Sequence, residues 1–159
     1  MEPRVTFSLS SLLAGALLVA CHPAAISGDV IKVVGVTVRT EEDGKRTKVH
    51  FEGPGGKGEI SLALEPPCAV VRNHRGEPLT HSYRSAGNAT VVIFVGKLAE
   101  EFLPDGKTRQ VRGSQSQAVL IRNGRVSASK RVVTDGRWSP SQGMDEKEFW
   151  LFAHEQRRP

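Results

Sequence analysis

Apolar and polar residues alternate along much of the chain after residue 28, as they do in β-strands with one buried face. The clearest case is residues 59–65, in which isoleucine and leucine alternate with polar or small residues until Pro66 ends the run. The segment 91–95 is apolar at every position, which predicts a central strand covered on both faces. About seven or eight short strands separated by turns predict a mainly β fold, a single antiparallel β-sandwich or partly open barrel with at most one short helix.

Three shorter segments carry finer predictions. The apolar positions of residues 30–39 change phase at Gly35, which predicts a strand with a β-bulge. Residues 97–103 have apolar residues spaced by four and predict one or two helical turns. Asn123-Gly124 lies between two apolar runs and predicts a hairpin with a type I′ turn, because both residues tolerate positive φ.

Residues 145–155 are compatible with two structures. Apolar and aromatic residues fill positions 149–153, which favours a strand, whereas Asp145 and Glu148 have the spacing of a capping box for a helix. We expect the strand. Residues 77–88 are polar and stay unassigned, and Ser114-Gln115-Ser116-Gln117 is interpreted as a hydrophilic loop.

Composition divides the chain in two. The chain has 159 residues and 38% apolar residues, but residues 1–20 hold twelve of the apolar ones. The remainder is therefore about 35% apolar, enough for a globular domain. Collagen, coiled-coil, knottin and multi-pass membrane classes are excluded, and residues 29–159 are expected to form one β-rich domain.

The N-terminal segment has the features of an export signal. Residues 5–20 carry no charge, and as a helix they would span about 24 Å, less than the roughly 30 Å hydrocarbon layer of a membrane. This length favours a signal peptide over residues 1–20, with a permanent N-terminal anchor as the alternative.

The segment ends in Leu18-Val19-Ala20-Cys21, which resembles the lipobox of bacterial lipoproteins. The resemblance implies that the Cys21 thiol receives a diacylglycerol, that the chain is cut before Cys21, and that the new amine is acylated. It also implies that His22, in place of Asp, directs the protein to the outer membrane, facing the periplasm. Residues 21–28 then serve as a short tether. The resemblance ends at Cys21, and residues 22–159 resemble no family.

Lipidation of Cys21 would leave Cys68 without a partner, because the chain has only two cysteines. Cys68 stands in an apolar context and is expected to be a buried, inert thiol. In an ordinary secreted protein, a disulfide between Cys21 and Cys68 is the alternative.

Basic residues are in excess. Removal of residues 1–20 takes away one acid and one base, so the mature chain keeps 21 Lys and Arg against 16 Asp and Glu, a net charge of +5. In the predicted hairpin Arg122 and Arg125 oppose each other across the turn, where like charges repel unless an anion intervenes. We hypothesise that they contact lipid headgroups, a peptidoglycan or lipopolysaccharide group, or an acidic protein face. Nucleic acid is not an expected partner of an exported lipoprotein.

Catalytic and metal-binding signatures are weak. The five histidines have no spacing typical of metal ligands, so no metal or cofactor is predicted. His74 and His81 could converge from two loops, and a hydrolase would require one of them within reach of a Ser, Asp or Glu in a cleft.

The sequence therefore favours a non-enzymatic lipoprotein that binds or scaffolds an envelope component. One alternative is an inhibitor or immunity-type lipoprotein that blocks a secreted enzyme with a rigid loop from residues 77–89 or 107–117. An envelope hydrolase is the other.

Overall fold

A computed structural model describes residues 28–155, which form two antiparallel sheets, one α-helix and one 3-10 helix. The first sheet contains four strands in chain order: β1 (Val30–Val33), β2 (Val36–Glu42), β3 (Thr47–Gly53) and β4 (Gly56–Leu62). The second contains five: β5 (Ala69–Val70), β6 (Thr80–Tyr83), β7 (Ala89–Phe102), β8 (Arg109–Arg122) and β9 (Arg125–Val133). Its order is β5-β7-β8-β9, and β6 also pairs with β7. The mainly β, antiparallel sandwich with a single α-helix is confirmed.

The molecule has three layers, because the second sheet is covered on both faces. Val92 and Phe94 of β7 face the first sheet, whereas Val91, Ile93 and Val95 face helix α1 (Glu146–Ala153). All five side chains are 0% exposed. The prediction of a central strand without alternation is confirmed, and burial of its two faces divides the core into two apolar clusters.

The predicted bulge at Gly35 is wrong, since residues 30–39 form a hairpin of two strands. Val34 and Gly35 have φ angles of 50° and 76° and make the tight turn between β1 and β2. Ile31 pairs with Val38, so the apolar residues before and after the turn face the same core. The apolar positions change phase at Gly35 because the chain reverses direction there. This reversal also brings the strand count to nine in residues 28–155, above the seven or eight expected.

The predicted helical turns at residues 97–103 are wrong, because β7 continues to Phe102. Leu98 pairs with Gly113 and Phe102 with Arg109, across an antiparallel ladder. Residues four apart share a face in a strand as well as in a helix, so the spacing did not distinguish the two. Beyond Gly96 and Gly113 the strands β7 and β8 pair with each other alone among the named strands, and residues 98–112 form a two-stranded arm.

The hydrophilic loop predicted at residues 114–117 is also wrong, since these residues lie inside β8. Ser116 and Gln117 are buried at 0% and 4% exposure. The Gln117 amide donates to the Ser129 carbonyl and accepts from the Ala63 backbone N–H, each at 2.7 Å. Polarity misled because the buried Gln117 side chain finds its partners far along the chain.

The strand expected near residues 148–154 is a helix. Asp145 caps its N-terminus, with a carboxylate oxygen accepting from the Lys147 N–H at 2.9 Å. Phe149, Phe152 and Ala153 follow the helical spacing of three and four and bury their side chains against the second sheet. The capping signal was the correct one, and the aromatic content that favoured a strand serves to pack the helix.

Candidate functional site

The hairpin turn brings Arg122 and Arg125 together as predicted. Asn123 and Gly124 have φ angles of 50° and 76°, and Arg122 pairs directly with Arg125. The two charges do not meet, however, because the Arg122 guanidinium donates to the Ala86 carbonyl at 3.2 Å and the Ala153 carbonyl at 3.3 Å. Arg122 thereby places a positive charge at the C-terminal end of α1, where the helix dipole favours it.

Arg125 keeps its charge exposed. It forms no ion pair with any residue in the range 28–155. It shares the face of the second sheet on which Arg122 reaches the end of α1. The anionic contact predicted for these residues stays a prediction, with Arg125 as the side chain free to make it and Arg122 engaged in holding the helix.

A second basic side chain lies along the same strand. Arg131 places its guanidinium 5.8 Å from the centre of the Phe152 ring, a cation–π contact beneath α1. Glu155 fixes the end of the helix here, because its two carboxylate oxygens accept the backbone N–H groups of Lys130 and Arg131, each at 2.9 Å. Glu155 therefore satisfies two backbone donors at the edge of the sheet.

The opposite wall is aromatic. Trp150 is 48% exposed and stacks on His154 one helical turn later, with ring centres 4.3 Å apart and an angle of 22° between the planes. His154 Nδ1 lies 2.9 Å from the Trp150 carbonyl oxygen, and its Nε2 lies 3.0 Å from Ser85 Oγ. Since a carbonyl only accepts, Nδ1 carries a proton and donates it to Trp150, while Nε2 is hydrogen-bonded to the Ser85 hydroxyl. The imidazole is held on two sides and supports the indole as a platform.

Between these walls lies a groove of about 780 Å³, lined by residues 131–135 and by Trp150, Leu151, His154 and Glu155. We call it the basic-aromatic groove. A flat exposed ring suits stacking on a sugar or another ring, and a guanidinium pairs with carboxylate or phosphate. Arg125 lies six residues before Arg131 on β9, and the register shift between them shortens their separation along the strand.

The histidines singled out in the sequence do not meet. His74 is exposed in the turn that follows β5, whereas His81 lies on β6 with its ring centre 4.6 Å from that of Phe149. His81 Nδ1 is 3.9 Å from the nearest Glu146 carboxylate oxygen, outside hydrogen-bond reach. Within residues 28–155, no group of three or more His, Cys, Asp or Glu side chains is placed to hold a metal ion.

The contact between Ser85 and His154 was missed because the segment containing His154 was expected to be a strand. It brings a hydroxyl to an imidazole, but the other ring nitrogen faces a backbone carbonyl and not a carboxylate. Spacing of four between Trp150 and His154 on a helix is the signal that would have revealed their stacking.

Cys68 is half-buried beside the first sheet. Thr47 donates a hydrogen bond to its sulfur at 2.9 Å, and the thiol donates to the Glu65 carbonyl at 3.4 Å. Burial raises the pKa of the Cys68 thiol to about 11, so it is protonated at neutral pH. The environment is that of an unreactive thiol.

The predicted signal peptide, Cys21 and residues 21–27 of the tether lie outside the described residues, as do Arg157 and Arg158. Within residues 28–155, no helix has both the length and the apolar character needed to cross a membrane. Comparison with known proteins finds no matching family model, no matching curated protein and no matching solved structure.

Proposed function

We propose that this chain is a lipid-anchored, non-enzymatic binding module of the bacterial envelope. Cys21 would carry the lipid and hold the protein on the outer membrane, facing the periplasm. The basic-aromatic groove would bind an anionic envelope component that carries a ring, such as an acidic sugar. The observation that carries the binding proposal is the exposed Trp150–His154 stack facing Arg131 across a groove of about 780 Å³.

Electrostatics support an anionic ligand. The chain has a formal net charge of +5, and neither Arg125 nor Arg131 forms an ion pair within residues 28–155. Two carboxylates, Asp135 and Glu155, line the same groove, and Glu155 is engaged by two backbone N–H groups. An arriving carboxylate or phosphate would pair with the Arg131 guanidinium, which forms no ion pair with either of them.

The anchor is tested by labelling cells with a fatty-acid analogue and comparing two cysteine variants. Cys21→Ser is expected to lose the label and to leave the membrane fraction, since the thiol is the site of attachment. Cys68→Ser is the matched control and is expected to keep both. Label retained by Cys21→Ser would refute the lipoprotein assignment.

The groove is tested by photo-crosslinking in cells, with a benzophenone amino acid at position 150 or, as a control, at position 34. Val34 is 68% exposed in the turn between β1 and β2, outside the residues that line the groove. We expect an adduct from position 150 alone, lost when Arg131→Glu is added and kept when Lys130→Glu is added. The two charge reversals are equal in size, but Lys130 is exposed and does not line the groove. Equal adducts from positions 150 and 34 would overturn the proposal.

A further inference from the structure

The arm of residues 98–112 exposes two large apolar side chains on one face. Pairing places Leu98, Phe102 and Val111 on one side, because Phe102 lies opposite Arg109 and Val111 opposite Glu100. Phe102 is 61% exposed and Val111 42% exposed, two of five large apolar side chains that are exposed in residues 28–155. The same face carries Glu100 and Arg109, which form an ion pair at 3.3 Å, and Leu98 at its base packs against the core, so its exposed apolar part consists of Phe102 and Val111.

One basic side chain contacts the exposed ring, and a second lies in the adjoining turn. The Arg109 guanidinium lies 5.1 Å from the centre of the Phe102 ring and is paired with Glu100, whereas Lys107 is exposed in the connecting turn and forms no ion pair within residues 28–155. Asp105, in the same turn, accepts the Lys107 and Thr108 N–H groups on Oδ1 at 2.9 and 2.8 Å and the Thr108 hydroxyl on Oδ2. An aromatic ring beside lysine and arginine is the composition that favours the interface between hydrocarbon and anionic headgroups.

The arm leaves the sandwich at the end where the described chain begins. The Asp29 carbonyl accepts the Thr40 N–H at 3.1 Å, near the end of β2. At the last residue of β2, the Glu42 carboxylate accepts the Cys68 N–H at 2.6 Å. Cys68 lies against Gly96, where the arm starts. The turns at Pro54–Gly55 and Asn123–Gly124 contact each other at the opposite end.

Covalent geometry limits how far this end can lie from a lipid on Cys21. Six residues lie between Cys21 and Gly28, so the seven Cα–Cα steps span at most about 25 Å. The five residues 98–102 project about 17 Å from the base of the arm. A bilayer that holds Cys21 is therefore within reach of the tip of the arm.

We propose that the tip of this arm enters the headgroup layer of the anchoring membrane, with Phe102 at the hydrocarbon boundary and Lys107 at anionic lipid headgroups. This inference rests on the proposed lipid anchor. The tether raises the local concentration of the arm at the surface, so a single ring and one cation suffice to orient the domain. The arm would hold the basic-aromatic groove in a fixed orientation relative to the membrane.

The test uses lipidated protein in vesicles of phosphatidylcholine and phosphatidylglycerol whose acyl chains carry bromine, which quenches nearby tryptophan. One protein combines Phe102→Trp with Trp138→Phe and Trp150→Phe; the matched control has Trp138→Phe alone and reports Trp150. We expect quenching at least twofold stronger for the Phe102→Trp indole, and weaker quenching in vesicles without phosphatidylglycerol. Equal quenching of the two indoles would overturn the proposal.

Failure of the anchor and failure of the arm are separable. Mass spectrometry of the purified protein shows whether Cys21 carries a diacylglycerol, and its absence refutes the proposed anchor. The Cys68→Ser chain, coupled through Cys21 to a maleimide phospholipid, then tests the arm alone with the same two indoles. A benzophenone amino acid at position 102 that cross-links in cells to a protein and not to lipid would also overturn the membrane contact.

Discussion

Gln117 joins the two sheets through hydrogen bonds that no neighbouring group replaces. Its side-chain oxygen accepts the Ala63 N–H just after β4, and its amide donates to the Ser129 carbonyl in β9, each at 2.7 Å. The ladder between β8 and β9 shifts register at this position. The side chain is 4% exposed and thus supplies partners where the ladder does not.

Gln117→Met retains the length and approximate volume of the side chain and removes both hydrogen bonds. Each bond contributes about 0.5–1.5 kcal/mol, and a buried carbonyl left without a donor costs about 1–3 kcal/mol. We expect the free energy of unfolding to fall by about 2–4 kcal/mol. Gln115→Met is the matched control, since Gln115 makes two comparable bonds at 2.8 Å to Glu65, which is exposed. Water can replace those bonds, so the control should lose less than about 1 kcal/mol.

The assay is urea unfolding of the Cys21→Ser protein, followed by tryptophan fluorescence. Both variants should keep the denaturant slope of the parent, because neither changes the surface exposed on unfolding. A difference between Gln117→Met and Gln115→Met below about 0.5 kcal/mol would refute the argument that burial makes the Gln117 bonds irreplaceable.

Three further outcomes follow from local contacts. Ser116→Ala should raise the free energy of unfolding by about 0.5–1 kcal/mol, since the Ser116 hydroxyl is buried without a partner in residues 28–155; a loss would contradict this. Gly55→Ala should lower it by about 1–3 kcal/mol in the same assay, because a Cβ there would overlap the Gly124 carbonyl; an unchanged midpoint would exclude this contact. At pH 8, iodoacetamide should alkylate Cys68 of the folded Cys21→Ser protein about 100-fold more slowly than in urea, with the rate rising until pH about 11; equal rates would contradict the raised pKa. Because this pKa is raised on folding, the stability contributed by the protonated thiol is complete below the pKa of the unfolded thiol and is lost as pH rises towards 11.

The layers of the fold were predictable because burial leaves a direct record in the sequence. Positions 91–95 are apolar throughout, and the structure covers both faces of that strand. Asn123-Gly124 predicted its turn for a similar reason, since two consecutive positive φ angles admit few residue pairs. In both cases the sequence signal is contained in a few consecutive residues.

The wrong predictions concern segments whose structure is decided by residues far away in the sequence. Spacing of four between Leu98 and Phe102 is common to a helix and a strand, and pairing with residues 109–113 decides between them. Gln117 looked like part of a loop because its partners lie 54 and 12 residues away. Polar residues at buried positions are informative only when their partners are known.

The candidate site could be predicted only in part, because it is built from contacts between residues far apart in the sequence. Arg122 and Arg125 were correctly expected to face each other, but the carbonyls that engage Arg122 lie 36 and 31 residues away. The groove lies between β9 and helix α1, and the aromatic content of the helical segment had favoured a strand. Once the helix is known, Trp150 and His154 stack by simple spacing, and Arg131 beneath them completes the site.

Orientation then narrows the choice of ligand. The arm and Gly28 lie at one end of the sandwich, and the Asn123–Gly124 turn, with Arg125, lies at the other. If the anchored end faces the bilayer, Arg125 points away from it, at a distance set by the length of the strands. Headgroups of the anchoring membrane would then meet the arm, and Arg125 would face the periplasm. Of the anions proposed for Arg125, this geometry favours a cell-wall group or an acidic protein over the lipids that hold the anchor.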